Sequence, residues 1–279
     1  MDYQKLFQEI KRTAVIIDYS PAKIELPAGK SKIGGKPHLP ESFAWPYYEG
    51  EDYEGVLKNR PLSFLAQFNL EEIAEYDQDN RLPHKGMLYF FYDLCTMRWG
   101  FDPKDKGCAR VFYVEDPSAL QAVDFPEELE TDFVLPEFEV AFTARMDLPD
   151  YEEIAEFMPA LEWDSYDEEK VLFGYEGDED EEVSKLLGYA DLIQGDMLLE
   201  CEEVCNGIYC GNIPDLTEEQ REKMLADSKE WELLFQMSTV GNEDYELMFG
   251  DCGSIYFYIK KQDLQKKNFD NVWLVLQCF

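Results

Sequence analysis

The stretch PEFEVAFTARMD, residues 136–147, sets Phe138, Val140, Phe142, Ala144 and Met146 against Glu139, Thr143 and Arg145 in strict alternation. A period of two places the first set on one face of a strand and the second on the other, half buried and half wet, as in an antiparallel sheet. The signal recurs in PLSFLAQFNL, where Leu62, Phe64, Ala66 and Phe68 alternate with Ser63, Leu65, Gln67 and Asn69. VIIDY and AKIEL read as extended, GMLYFFYDL (86–94) and GCARVFYVED (107–116) as aromatic and β-branched strands, and strands are expected again in GDMLLECEEV, ELLFQM, YELMFG, GSIYFYIKK and FDNVWLVLQCF.

Helical signals are fewer. Residues 2–14 bring Leu6, Phe7, Ile10 and Ala14 to one side at helical spacing. Asn69 with Glu72, and Asp150 with Glu153, have the spacing of capping pairs, and a helix is expected from Thr217 to about Trp231, after Pro214. The expected class is α+β, mostly antiparallel sheets with short peripheral helices.

Two pairs of strands resemble each other in the same order. SFLAQFNL (63–70) is similar to ELLFQMST (232–239), and GMLYFFYDL (86–94) to GSIYFYIKK (253–261), at offsets of 169 and 167 residues. The expected organisation is one compact domain over 1–279 with a pseudo-repeat of about 31–115 and 185–279, joined by an acidic segment at 116–184.

Charge narrows the function classes. The chain has 60 Asp and Glu against 25 Lys and Arg, a net charge of −35, and Glu115 to Glu182 contains 25 acids with only Arg145 and Lys170 as bases. Nucleic acid and phosphate-rich membrane surfaces are repelled by such a field, whereas a basic protein is drawn in, more strongly at low salt. No apolar run reaches the roughly 20 residues that cross a bilayer, and the amino terminus has no leader pattern. The seven cysteines, an odd number, fit reduced thiols, so the expected compartment is the cytoplasm.

No Gly-x-Ser-x-Gly elbow, phosphate-cradling Walker loop or zinc-peptidase histidine pair is present. His38 and His84 are the only histidines, each beside proline. Cys201, Cys205 and Cys210 lack the close spacing of a zinc site, and the run Asp178 to Glu182 lacks the glycine of a calcium loop. No metal or cofactor is expected. The candidate site is SKIGGKPHLP, where Lys32, Gly34, Gly35, Lys36 and His38 could form an anion-binding nest; the same residues also suit a tight turn with lysines paired to the protein's own acids.

The blocks KIGGKPHLP, FAWP, PLSFLAQFNLEEI, LPHKGMLYFF, KLLGYADLIQ, ELLFQM, FGDCGSIYFYI and FDNVWLVLQC, in this order from about residue 31 to the carboxyl end, resemble the YwqG-like bacterial family of unknown function. Ala190 replaces a usual proline and Phe249 a usual tryptophan, both at structural positions. The resemblance implies a β-rich α+β fold in a bacterial cytoplasm and, for some relatives, association with toxin and immunity genes. The expected function is that of a non-catalytic, immunity-like binding protein for a basic, toxin-like partner. The alternative is a small-molecule or anion site, with or without catalysis, on the loop 30–38.

Overall fold

The computed structural model describes residues 1–177, 183–212 and 216–279. The acidic run Asp178 to Glu182 and the helix-preceding Pro214 lie outside the described residues. Ten strands form the main sheet: β1 (Arg12–Pro21), β2 (Lys32–Ile33), β3 (Ser63–Asn69), β4 (Met87–Tyr92), β5 (Ala109–Val114), β6 (Phe138–Asp147), β7 (Lys185–Leu187), β8 (Trp231–Met237), β9 (Ser254–Lys260) and β10 (Trp273–Gln277). Their order is β10-β9-β8-β7-β1-β6-β2-β3-β4-β5, and every neighbouring pair is antiparallel. The protein is thus a β-rich α+β protein. Among the described residues no helix is long and apolar enough to cross a membrane.

The central pair, β1 and β6, keeps the half-wet character that its alternation dictates. Asp18 lies opposite Ala141 and Ser20 opposite Glu139, all exposed, while Val15, Ile17 and Phe138 are buried. The flanks are different. In β3, Ser63, Leu65 and Gln67 are as buried as Phe64, Ala66 and Phe68, and all of β4 and β8 is buried. The reason is that the flanks close over each other: Phe68 and Phe90 of one meet Phe235 and Phe257 of the other, with Phe90 and Phe235 rings 4.6 Å apart. Each such pair adds about 0.5–1.5 kcal/mol beyond its buried area. The outer face of β3–β5 is covered by the FAWP block, where Phe43 stacks on Phe91 and Trp45 meets it edge-on.

Among the described residues seven α-helices are peripheral: α1 (Tyr3–Ile10), α2 (Leu70–Ile73), α3 (Tyr151–Ala155), α4 (Trp163–Phe173), α5 (Leu198–Cys205), α6 (Glu218–Ser228) and α7 (Lys261–Gln265). The helix expected to reach Ala14 stops at Ile10, because Thr13, Val15, Ile16 and Ile17 favour a strand. AKIEL is not a strand, and Ile24 is exposed. GDMLLECEEV is a helix, not a strand. Asp196 accepts from the amides of Leu198 and Leu199, and Leu198, Cys201 and Val204 then fall at helical spacing against Trp231, Leu233, Tyr256 and Trp273. Cys201 is buried there and Cys205 exposed; all seven cysteines are free thiols.

Two capping pairs are also replaced. Asn69 caps α2 through the Glu71 amide, while Glu72 turns away to accept from Lys30 Nζ and the Ser31 amide. Asp150 makes no cap bond to α3; its carboxylate takes Lys170 Nζ and the Leu192 amide. Thr217 and Gln220 do form a capping box on α6.

Candidate functional site

β2 is only two residues long because Gly34 and Gly35 turn the chain at φ +63° and +64°. Their amides donate to the carbonyls of Leu65 and Leu135. Lys32, 1 % exposed, points inward from this strand. Its ammonium donates to Glu137 Oε1 at 2.5 Å and to the Lys36 carbonyl at 2.6 Å. Burial lowers the Lys32 pKa, and Glu137 opposes that shift. The Lys36 side chain lies at the surface on Asp124, 2.6 Å away.

His38, 3 % exposed, is held by Gln67. The Gln67 side chain accepts from the His38 amide at 2.8 Å, donates to the Lys30 carbonyl at 2.7 Å and lies 3.0 Å from His38 Nδ1. With the glutamine amide donating, Nδ1 carries no proton, and burial and Lys32 both push the imidazole pKa down. Tyr89 closes the arrangement by donating to the His38 carbonyl at 2.7 Å. Of the five loop residues, Lys32, Gly34, Gly35 and His38 are therefore bonded into the interior, whereas Lys36 is outside. His84 is exposed.

A second set of residues repeats these bonds on the other flank. Gln236 accepts from the Asp191 amide at 3.0 Å, donates to the Val183 carbonyl at 2.9 Å and reaches Asp191 Oδ2 at 2.6 Å. Tyr256 donates to the Asp191 carbonyl at 2.6 Å. Lys185 lies beside Gln236 in register, as Lys32 lies beside Gln67, and a positive-φ pair, Leu187 and Gly188, follows it. Asp191 thus occupies the place of His38. Lys185 faces two carboxylates, Asp147 at 3.2 Å and Asp191 at 2.7 Å, so although burial lowers its pKa, these charges raise it further and the net shift is upward. The signal for this was in the sequence: SKIGG (31–35) and SKLLG (184–188) share Ser, Lys and the closing Gly.

A third feature had no sequence signal. Glu153 of α3 is buried, and its Oε2 has no hydrogen-bond partner. Burial, with Asp196 adding, pushes its carboxyl up to about 8; burial likewise raises Asp196 to about 6 and Glu200 to about 7. A carboxyl whose folded pKa exceeds its unfolded value stabilises the fold while protonated. The contribution of Glu153 is complete below its unfolded pKa and is lost as pH rises through 8. From pH 6 to pH 9 the Glu153 share of the lost stability is about 2–3 kcal/mol. Urea unfolding at the two pH values should show Glu153→Gln losing less than the parent by about that amount; equal losses would contradict the assignment.

The described residues therefore define a β-rich α+β protein whose sheet flanks each carry a buried lysine–glutamine–tyrosine network. A family model described as a domain of unknown function, DUF1963, matches residues 31–278, and the chain belongs to that family. No curated protein matches it.

Proposed function

We propose that this protein is a non-catalytic binding protein, immunity-like in role, that captures a basic, toxin-like protein on its acidic surface. The observation that carries this reading is the outward side of α4. Val171 and Leu172 stand 69 % and 74 % exposed there, and Trp163, 60 % exposed, sits at the first position of the helix. Asp164 and Glu168, two turns and one turn before Leu172, lie on the same side and are exposed, with Glu162 and Glu176 at the ends. Apolar anchors inside an acidic rim suit a basic partner: the rim steers the encounter, and the anchors supply the desolvated contact. The histidines agree with a non-catalytic role, one neutral and buried, the other exposed in a loop.

The same reading takes the two flanks as related halves of a duplicated, YwqG-like bacterial chain, about 31–115 and 185–279. The matched hydrogen bonds at Gln67 and Gln236 and at Tyr89 and Tyr256 support it, as do register shifts at Leu65 and Leu234, 169 residues apart. The seven free thiols accord with the cytoplasm.

The test is affinity capture from the source cells at about 0.05 M and 0.5 M salt, where screening lengths differ severalfold. A basic protein should be retained at low salt, released at high salt, and lost with Val171→Ser plus Leu172→Ser. An empty capture at low salt overturns the reading.

A further inference from the structure

One glutamine holds both ends of the glycine loop and fixes the protonation of the histidine between them. The His38 amide must meet an acceptor and the Lys30 carbonyl a donor, so the buried Gln67 side chain stands only one way round, with Oε1 on the His38 amide and Nε2 on Lys30. Nε2, a donor, is thereby set 3.0 Å from His38 Nδ1, which must be an acceptor.

A proton added to the ring places two donors against each other across that 3.0 Å. Turning the Gln67 amide round would accept the new N–H, but it would lose the bonds to the His38 amide and the Lys30 carbonyl together. The surrounding charges give no relief. The Lys32 cation acts on the ring, and of the two carboxylates that oppose it, Glu137 and Glu25, the first is bonded to Lys32 itself. Lys30 is paired with Glu72 and Lys36 with Asp124, while Tyr89 donates to the His38 carbonyl and not to the ring. The strand Leu120–Ala122, paired with His38–Pro40, has no charged residue.

We propose that loop 30–38 is an acid-released latch: protonation of His38 breaks its hold on Gln67 and frees the loop from β3. On the other flank Asp191 stands in the place of His38 at Gln236, with no imidazole, so the latch is one-sided. In the open loop His38 returns to the ordinary imidazole range, about 6.5, whereas in the closed loop burial, and after it Lys32, keep it lower. Closure is therefore fully favoured above about pH 6.5 and weakens as pH falls below it, the open fraction growing by up to about tenfold per pH unit. The latch is independent of α4, so its failure leaves the partner-binding reading untouched.

Hydrogen exchange of the full chain, followed by NMR at pH 7.5 and 5.5 and corrected for intrinsic rates, tests it. The Gly34, Gly35 and His38 amides should open severalfold more at pH 5.5, and the Asp191 amide on Gln236 should not. Protonation of Glu153 strengthens the fold over the same interval, so a general loosening has the wrong sign to imitate this. His38→Asn keeps an acceptor beside Gln67 but cannot titrate, and its loop should open equally at both pH values. Should that variant fail to fold, the nitrogen shifts of the parent ring decide, with the proton expected on Nε2 at pH 7.5. Loop exchange independent of pH, equal opening of both flanks, a pH dependence kept in His38→Asn, or a proton on Nδ1 at pH 7.5 overturns the proposal.

Discussion

Lys185→Met should destabilise the protein by about 3–5 kcal/mol, the range measured when one partner of a buried ion pair is removed. Lys185 is 0 % exposed and Asp147 1 %, so the change leaves a carboxylate in the interior without its cation. Methionine fills similar space, which separates the electrostatic loss from a cavity. Asp147 keeps the Tyr189 amide at 2.9 Å, enough to hold its position but not to neutralise it. Adding Asp147→Asn should therefore recover part of the loss, and denaturant midpoints of the two variants check this. A single variant within about 0.5 kcal/mol of the parent would mean that water reaches the pair.

Gly34→Ala should cost about 3 kcal/mol or more, for two separable reasons. The residue sits at φ +63°, a region that costs an L-residue about 1–2 kcal/mol. A Cβ there would also fall 2.0 Å from the Pro136 carbonyl oxygen, which is backbone and cannot swing aside. Gly55→Ala isolates the first reason, since Gly55 has φ +76° and nothing within 4 Å of an added Cβ. Thermal melts should place Gly55→Ala a few degrees below the parent, the strain alone, and Gly34→Ala far below both. Similar small shifts in both would remove the steric part of the argument.

Strand content was the most legible part of the sequence, because period-two alternation at 136–147 and the aromatic runs at 87–92 and 254–260 carry their own periodicity. GDMLLECEEV misleads because its short apolar run Met197, Leu198 and Leu199 reads as a buried strand, whereas Leu198, Cys201 and Val204 at helical spacing, behind Asp196 on two backbone amides, make the helix. The likeness of β3 to β8 was visible, while their lysine partners show no period and are marked only by the shared Ser-Lys and closing Gly of SKIGG and SKLLG. Lys32 and Lys185 reside on strands of two and three residues, too short to show any period, and their carboxylates come from the residue before β6, from β6 itself and from the loop after β7. Glu153 and Glu72 have capping spacing, so local grammar assigned them local work, while the closed fold uses one as a buried acid and the other as an anchor for residues 30 and 31.

The place of β1 also governs when the sheet can be completed. Its Ile16 pairs with Thr143 on one side and Lys185 on the other, so the first strand of this sheet waits for segments made much later. Contacts of such sequence separation carry a large loop-closure cost and slow the search for the native state. During synthesis the flank β2–β5 has its partners at hand before β7–β10 exist, so the order of assembly runs from that flank inward, and β1 is the seam along which the two flanks are finally joined.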